Sequence, residues 1–199
     1  ELASSKDGWY PTSQDVAGIV LYVTPSNSTI NIPFMMASEE FFYPYRGETP
    51  TYRVPSSVES YRTNSDKFAF FLKKGEFVGA ENDDDLRYMG FTKEDNIATL
   101  PNGDMVEIAS VNQHTNSEFF VANVVTNNMH ERLVFPTGEM PLPMEFNGAI
   151  VGPVAVCTNV VPGEVYTLKI VLADIGDRNL NSVIFLQGVT SGADLKMDV

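Results

Sequence analysis

Cysteine occurs once in the 199 residues, as Cys157. A single thiol excludes a disulfide within the chain and any zinc site built on paired thiolates. Its neighbours Val154, Ala155 and Val156 make it read as a buried small hydrophobe rather than a reactive nucleophile. Histidine is nearly as scarce: His114 and His130 stand without a third, which excludes a catalytic zinc site and leaves both as surface residues. No apolar run reaches the roughly 18 residues that a membrane-spanning helix needs. The opening Glu1-Leu2-Ala3-Ser4-Ser5-Lys6 lacks the charged-then-apolar order of a secretion signal, so a signal has been removed or the chain is cut from a larger protein. Positive charge is also short. Thirteen Lys and Arg face 26 Asp and Glu, a net charge of -13 and a pI near 4.4, and such a chain offers no basic face to nucleic acid or to an anionic membrane. A G-x-S-x-G elbow is missing, so nothing marks a serine nucleophile, and an abundance of carboxylates does not by itself identify a glycosidase pair.

What remains favours sheet. Twelve Pro and 14 Gly are spread along the chain, aromatics make up 11%, and few segments carry helical apolar spacing. Residues 18–23 and 29–37 read as paired strands about the turn Thr24-Pro25-Ser26-Asn27-Ser28, with Asn27 in a formal glycosylation sequon. Residues 41–64 have no clear period and read as a long loop. Residues 66–72, 96–100, 105–111 and 118–125 read as strands, with a hairpin turn at Pro101-Asn102-Gly103-Asp104. Residues 127–143 are irregular, because Pro136, Pro141 and Pro143 cannot occupy a central ladder. Strands resume at 151–156, 164–173 and 181–188. In the second of these Tyr166, Leu168, Ile170 and Leu172 lie on one face, with Thr167 and Lys169 outward. About nine to eleven strands with short turns imply an all-β fold: a two-sheet antiparallel β-sandwich, jelly-roll-like, with long loops. The length fits one such domain over 1–199.

The residues that carry chemistry are acids at strand ends. Asp174 and Asp177 flank Gly176 between two apolar runs, Glu39 and Glu40 end a third, and Asp66 opens Phe68-Ala69-Phe70-Phe71-Leu72. Two carboxylates about 4 Å apart repel by roughly 4 kcal/mol at an effective dielectric near 20. At neutral pH a calcium ion with oxygen ligands offsets that repulsion, and a loop-built cage suits Ca2+ better than Mg2+. The bland alternatives are that the Asp174–Asp177 pair caps a turn and that Glu39 and Glu40 form a solvated face. The run Asn82-Asp83-Asp84-Asp85 lacks any D-x-D-x-D-G spacing and reads as a solvated loop. Tyr43, Tyr45, Arg46, Tyr52 and Arg53 have the residue types of a recognition surface, with packing over the sandwich edge as the alternative.

Four segments, in order, resemble the choice-of-anchor L domain of bacterial surface and secreted proteins: MMASEEFFYPY, NSDKFAFFL, EDNIATLPNG and PGEVYTLKIVLADIGDRNLNSVIFLQG. The resemblance spans residues 18–188. It implies an extracellular β-sandwich that is part of a larger protein. Similar domains of giant adhesins bind calcium and grip short peptide ends on other cells, a ligand carboxylate completing the ion's shell. Carried over by motif, the implied metal ligands are Glu39, Glu40, Asp66, Asp174 and Asp177, with Asn181 where the family pattern has Asp. The chain departs from the pattern in its long Tyr- and Arg-bearing insertion between Glu40 and Asp66. The function expected is a calcium-stabilised, non-enzymatic recognition or adhesion module at the cell surface, binding a peptide, protein or glycan. A structural spacer whose calcium only rigidifies the fold is the alternative, and a glycan hydrolase the third reading.

Overall fold

The computed structural model describes residues 13–41, 43–45, 51–53, 66–76, 91–123, 125–126, 132–134, 142, 144, 146–175, 181–186 and 193–196. One antiparallel sheet contains β1 (Ser13–Pro25), β5 (Lys67–Lys74), β11 (Tyr166–Ile175) and β13 (Ala193–Lys196), in the order β13-β1-β11-β5. A second is organised on β2 (Thr29–Ser38), with β6 (Phe120–Ala122), β9 (Gly148–Ile150), β10 (Val154–Thr158) and β12 (Ser182–Leu186). Met36 of β2 lies opposite both Ile150 and Ile184, so β9 and β12 occupy its two edges. The register runs from Met36↔Ile150 to Pro33↔Val154, three steps on β2 against four on its partner. The extra residue is a bulge at Val151-Gly152-Pro153, where Gly152 takes φ +88°, and β9 and β10 are one bent strand along β2. A small third sheet joins β3 (Tyr43–Tyr45), β4 (Thr51–Arg53), β8 (Arg132–Val134) and β7 (Val125–Thr126) in the order β3-β4-β8-β7.

The two large sheets pack face to face as a β-sandwich, because each strand puts every second side chain inward. From β2 these are Ile30, Ile32, Phe34 and Met36; from β5 Phe68, Phe70 and Leu72; from β11 Tyr166, Leu168 and Ile170, all buried in one cluster. The Phe34 ring spans the layers, meeting Phe68 edge-on at 5.5 Å and Phe70 at 4.8 Å between centroids. Each such side chain contributes about 1.5–3 kcal/mol by leaving water.

Several sequence expectations need correction. β1 and β2 are both strands but do not pair: β1 lies against β11 and β13, and the turn crosses to the other sheet. Backbone bonds fix that crossing, from Gly163 N–H to Pro25 O (2.8 Å) and from Val160 N–H to Ser28 O (3.1 Å). The stretch read as one long loop carries β3 and β4, and β8 falls in the stretch read as irregular. Pro44 is accommodated because β3 is an edge strand. Residues 105–111 are mostly apolar yet form turns, since Ser110 and Val111 N–H both bond to Glu107 O (3.0 and 2.9 Å) while Val106, Ile108 and Val111 are buried. Residues 96–100 carry isolated bridges only, and 117–119 form a single 3-10 turn before β6. The turn at Pro101-Asn102-Gly103-Asp104 is present, closed by Leu100 N–H on Asp104 O (2.7 Å) with Gly103 at φ +90°. The outer side of β11 is not simply solvated: Thr167 is fully buried and donates to Gly75 O (2.6 Å), and Lys169 is half-buried. Cys157 is half-buried at the core's margin rather than inside it, and desolvation raises its thiol pKa. His114 is exposed as expected, whereas His130 and residues 82–85 lie outside the described residues.

Candidate functional site

The inward stripes of three strands end in acids at one end of the sandwich. On β2 the sequence Ile30, Ile32, Phe34, Met36 continues through Ser38 to Glu40, which is only 2% exposed. On β5 the stripe of Leu72, Phe70 and Phe68 continues outward to Asp66, 3% exposed. The Asp66 backbone N–H donates to the Glu40 carboxylate at Oε2, joining the two sheets. Glu40 is therefore no solvated face. On β11 the stripe ends at Asp174, half-buried. The β5–β11 ladder closes with Lys67↔Ala173, and one further step brings Asp66 opposite Asp174. On its other side Asp174 pairs with Asp15 of β1. Asp174 thus belongs to a strand, not to the turn after it.

Glu39 turns the other way. Its Oε2 accepts from Asn181 N–H (2.8 Å) and Asn181 Nδ2 (3.2 Å), and its own N–H donates to Asn181 O (3.0 Å). This clasp ties the end of β2 to the start of β12. Ser38 reinforces it, its Oγ lying 2.8 Å from Ser182 Oγ and accepting from Glu40 N–H at 2.9 Å. From the β9 side the Asn147 Nδ2 donates to Glu39 O. Gly148 sits directly opposite Ser38, so close to Phe41 that a Cβ there would stand 2.8 Å from the ring. A glycine is what lets Phe41 fold in and turn Glu40 toward the core.

The structure therefore brings together Glu39, Glu40, Asp66 and Asn181, and the register adds Asp174. Asp177 and Arg46 lie outside the described residues. Tyr43, Tyr45, Tyr52 and Arg53 belong to the small third sheet, where Tyr43 pairs with Arg53 and Pro44 with Tyr52. Among the described residues no group of three or more His, Cys, Asp or Glu side chains gathers to hold a metal ion. The donors at this end are nonetheless all hard oxygens, carboxylate and amide, the class that calcium takes and thiolate-loving metals do not.

Sequence reasoning missed three residues that build this end: Asp15, Asn123 and the part played by Asn147. Asn123 is fully buried; its Nδ2 donates to Met144 O (3.0 Å) and Phe146 O (2.7 Å), its Oδ1 accepts from Leu142 N–H (2.7 Å), and its own N–H reaches Asn147 O (2.9 Å). The signal was thin. An Asn between Ala122 and Val124 and the Phe146-Asn147-Gly148 triplet mark polar residues in apolar company, but only the register shows where they meet.

No helix among the described residues is long and apolar enough to cross a membrane. No curated protein and no solved structure matches the chain. The family comparison does match, over residues 1–191, a wider span than the 18–188 of the resemblance. With two large antiparallel sheets and a match over nearly its whole length, the chain belongs to the Choice-of-anchor L domain family of bacterial secreted and surface-associated modules.

Proposed function

We propose that this domain is a calcium-stabilised, non-enzymatic recognition or adhesion module of a larger bacterial surface protein, binding a peptide, protein or glycan on another cell or surface. The observation that carries the reading is the pair of buried acids, Glu40 and Asp66, converging from two sheets at the end of the hydrophobic core. Two unit charges about 5 Å apart repel by roughly 3 kcal/mol at an effective dielectric near 20, and desolvation adds to that. Glu40 and Asp66 are the residues that would hold the ion, with Asp174 the further acid that the register adds beside Asp66 and Asp177 the next along the chain. Calcium supplies fixed positive charge there and nothing redox. Glu39 and Asn181 then act one step away, their clasp holding β12 against β2 and keeping the chain after Ser38 in the turn that presents Glu40.

The aromatic and Arg-bearing strands β3 and β4 supply residue types suited to a partner surface. The test is thermal melting of metal-free protein with added calcium and with excess chelator. Calcium at about 100 times its Kd raises stability by about 2.7 kcal/mol. A midpoint indifferent to both additions refutes the metal.

A further inference from the structure

β12 is an edge strand that no described residue protects. It pairs with β2 along one edge only, and none of the described residues pairs with the other. Elsewhere the chain covers the edges of β5 and β1. On β5, Ile97 N–H bonds Phe70 O (2.8 Å) and Asn96 Oδ1 accepts from Phe70 N–H (3.0 Å), and β13 lies along β1 over Tyr22–Pro25. Among the described residues β12 has no such cover, and its sequence Ser-Val-Ile-Phe-Leu carries no charge and no proline, the usual guards of an open edge. Phe185 and Leu186 are 42% and 40% exposed, although their partners Met35 and Phe34 are half-buried and buried. Because neighbouring residues point to opposite faces, this edge offers apolar contact on both sides of any strand added to it.

We propose that the free edge of β12 takes up an extended apolar segment of a partner protein as an added antiparallel strand, with basic residues following the segment's apolar part. Five residues give a ladder of about 17 Å, enough for main-chain bonds to supply affinity and alternate side chains to supply selectivity. Charge chooses the partner. The chain carries -13, so a second copy brings two strongly negative bodies together, and a five-residue strand pair is small beside the roughly 1,200 Å² of a stable dimer. An antiparallel strand passes its later residues beside the start of β12, where Glu39 is clasped to Asn181, and lysine or arginine there meets negative potential. The inference names the partner class for the recognition reading and does not involve the metal.

The test is amide hydrogen exchange of the full chain, read over residues 182–186, with calcium at constant excess. The probe is a synthetic peptide of alternating valine and threonine ending in Lys-Lys. At about ten times its Kd the open-edge amides slow about ten-fold. The same peptide N-methylated at alternate residues, which keeps its side chains but loses its donors, gives no protection. A Glu-Glu ending weakens binding, and added salt narrows the difference. Phe185→Lys, checked for an unchanged melting midpoint, abolishes the effect; should it not fold, the methylated peptide decides. The proposal is overturned if the Lys-Lys peptide protects nothing, if the methylated peptide protects equally, or if β12 is protected in the protein alone in proportion to its concentration, the mark of a second copy. The melting midpoint reports on calcium separately, so failure of the edge leaves the metal reading intact.

Discussion

Substituting Gly148→Ala perturbs the acidic end without touching an acid. A Cβ on residue 148 stands 2.8 Å from Phe41 Cγ and Cδ2 and 2.9 Å from Phe41 Cβ. A ring end can swing aside, but a Cβ moves only with its backbone, and that backbone carries Glu40. Retreat is blocked elsewhere too. Gly148 pairs with Ser38 on one side and Ala122 on the other, Phe41 is fully buried, and its ring packs on Phe120 at 5.0 Å. Forced overpacking of this kind costs about 1–3 kcal/mol. The alanine returns about 0.5–1 kcal/mol by restricting the unfolded chain, so the net loss is about 1–2 kcal/mol. For a chain of this size that lowers the melting midpoint by about 2–8 °C. The assay is urea unfolding followed by tyrosine and tryptophan fluorescence, with the double substitution Gly148→Ala, Phe41→Leu alongside. Relief of the clash makes the pair less destabilising than the sum of its members by about 0.5 kcal/mol or more. An unchanged midpoint for Gly148→Ala, or strict additivity in the pair, refutes the packing argument.

Two further substitutions probe other supports. Asn123→Ala removes three side-chain bonds that pin Leu142, Met144 and Phe146 beside the site and leaves their backbone groups to find new partners; it lowers stability by about 2–4 kcal/mol in chemical denaturation, and a loss under about 0.5 kcal/mol contradicts the clamp. Desolvation lowers the Lys169 pKa from its ordinary 10.5. The unfolded chain then binds more protons in that window, so the stability this group confers is full above pH 10.5 and is lost as pH falls through its lowered folded value. Lys169→Met flattens the rise in stability toward alkaline pH, measured by urea midpoints across that range; an unaltered slope removes the argument.

Much of this fold is legible in the sequence because burial in a sandwich follows alternation. The stripes Ile30–Met36 and Phe68–Leu72 announce themselves, and so does Tyr166–Leu172 on its inner face. The hidden part is pairing. Nothing in residues 18–37 distinguishes a hairpin from a crossing between sheets, since both need a polar turn and two apolar strands; the difference lies in the distant partners β11 and β10. The same holds at the site. Glu39 and Glu40 are adjacent and look equivalent, yet one ends an inward stripe and is buried while the other clasps Asn181. Asp15 gives no local sign of standing opposite Asp174, because its neighbour is set by a register 159 residues away. Residues 105–111 mislead in the other direction: buried turns are as rich in apolar residues as strands when their inner residues pack on the core.

Whether a divalent ion offsets the buried charge of Glu40 and Asp66 is decided by the melting midpoint of Glu40→Gln against the parent chain, in calcium and in chelator. With calcium in excess the parent gains about 5–10 °C and the variant gains little. In chelator the order closes or reverses, because the variant has one buried charge fewer. A variant that loses the same stability in both conditions, or a parent chain whose midpoint ignores calcium, contradicts the account.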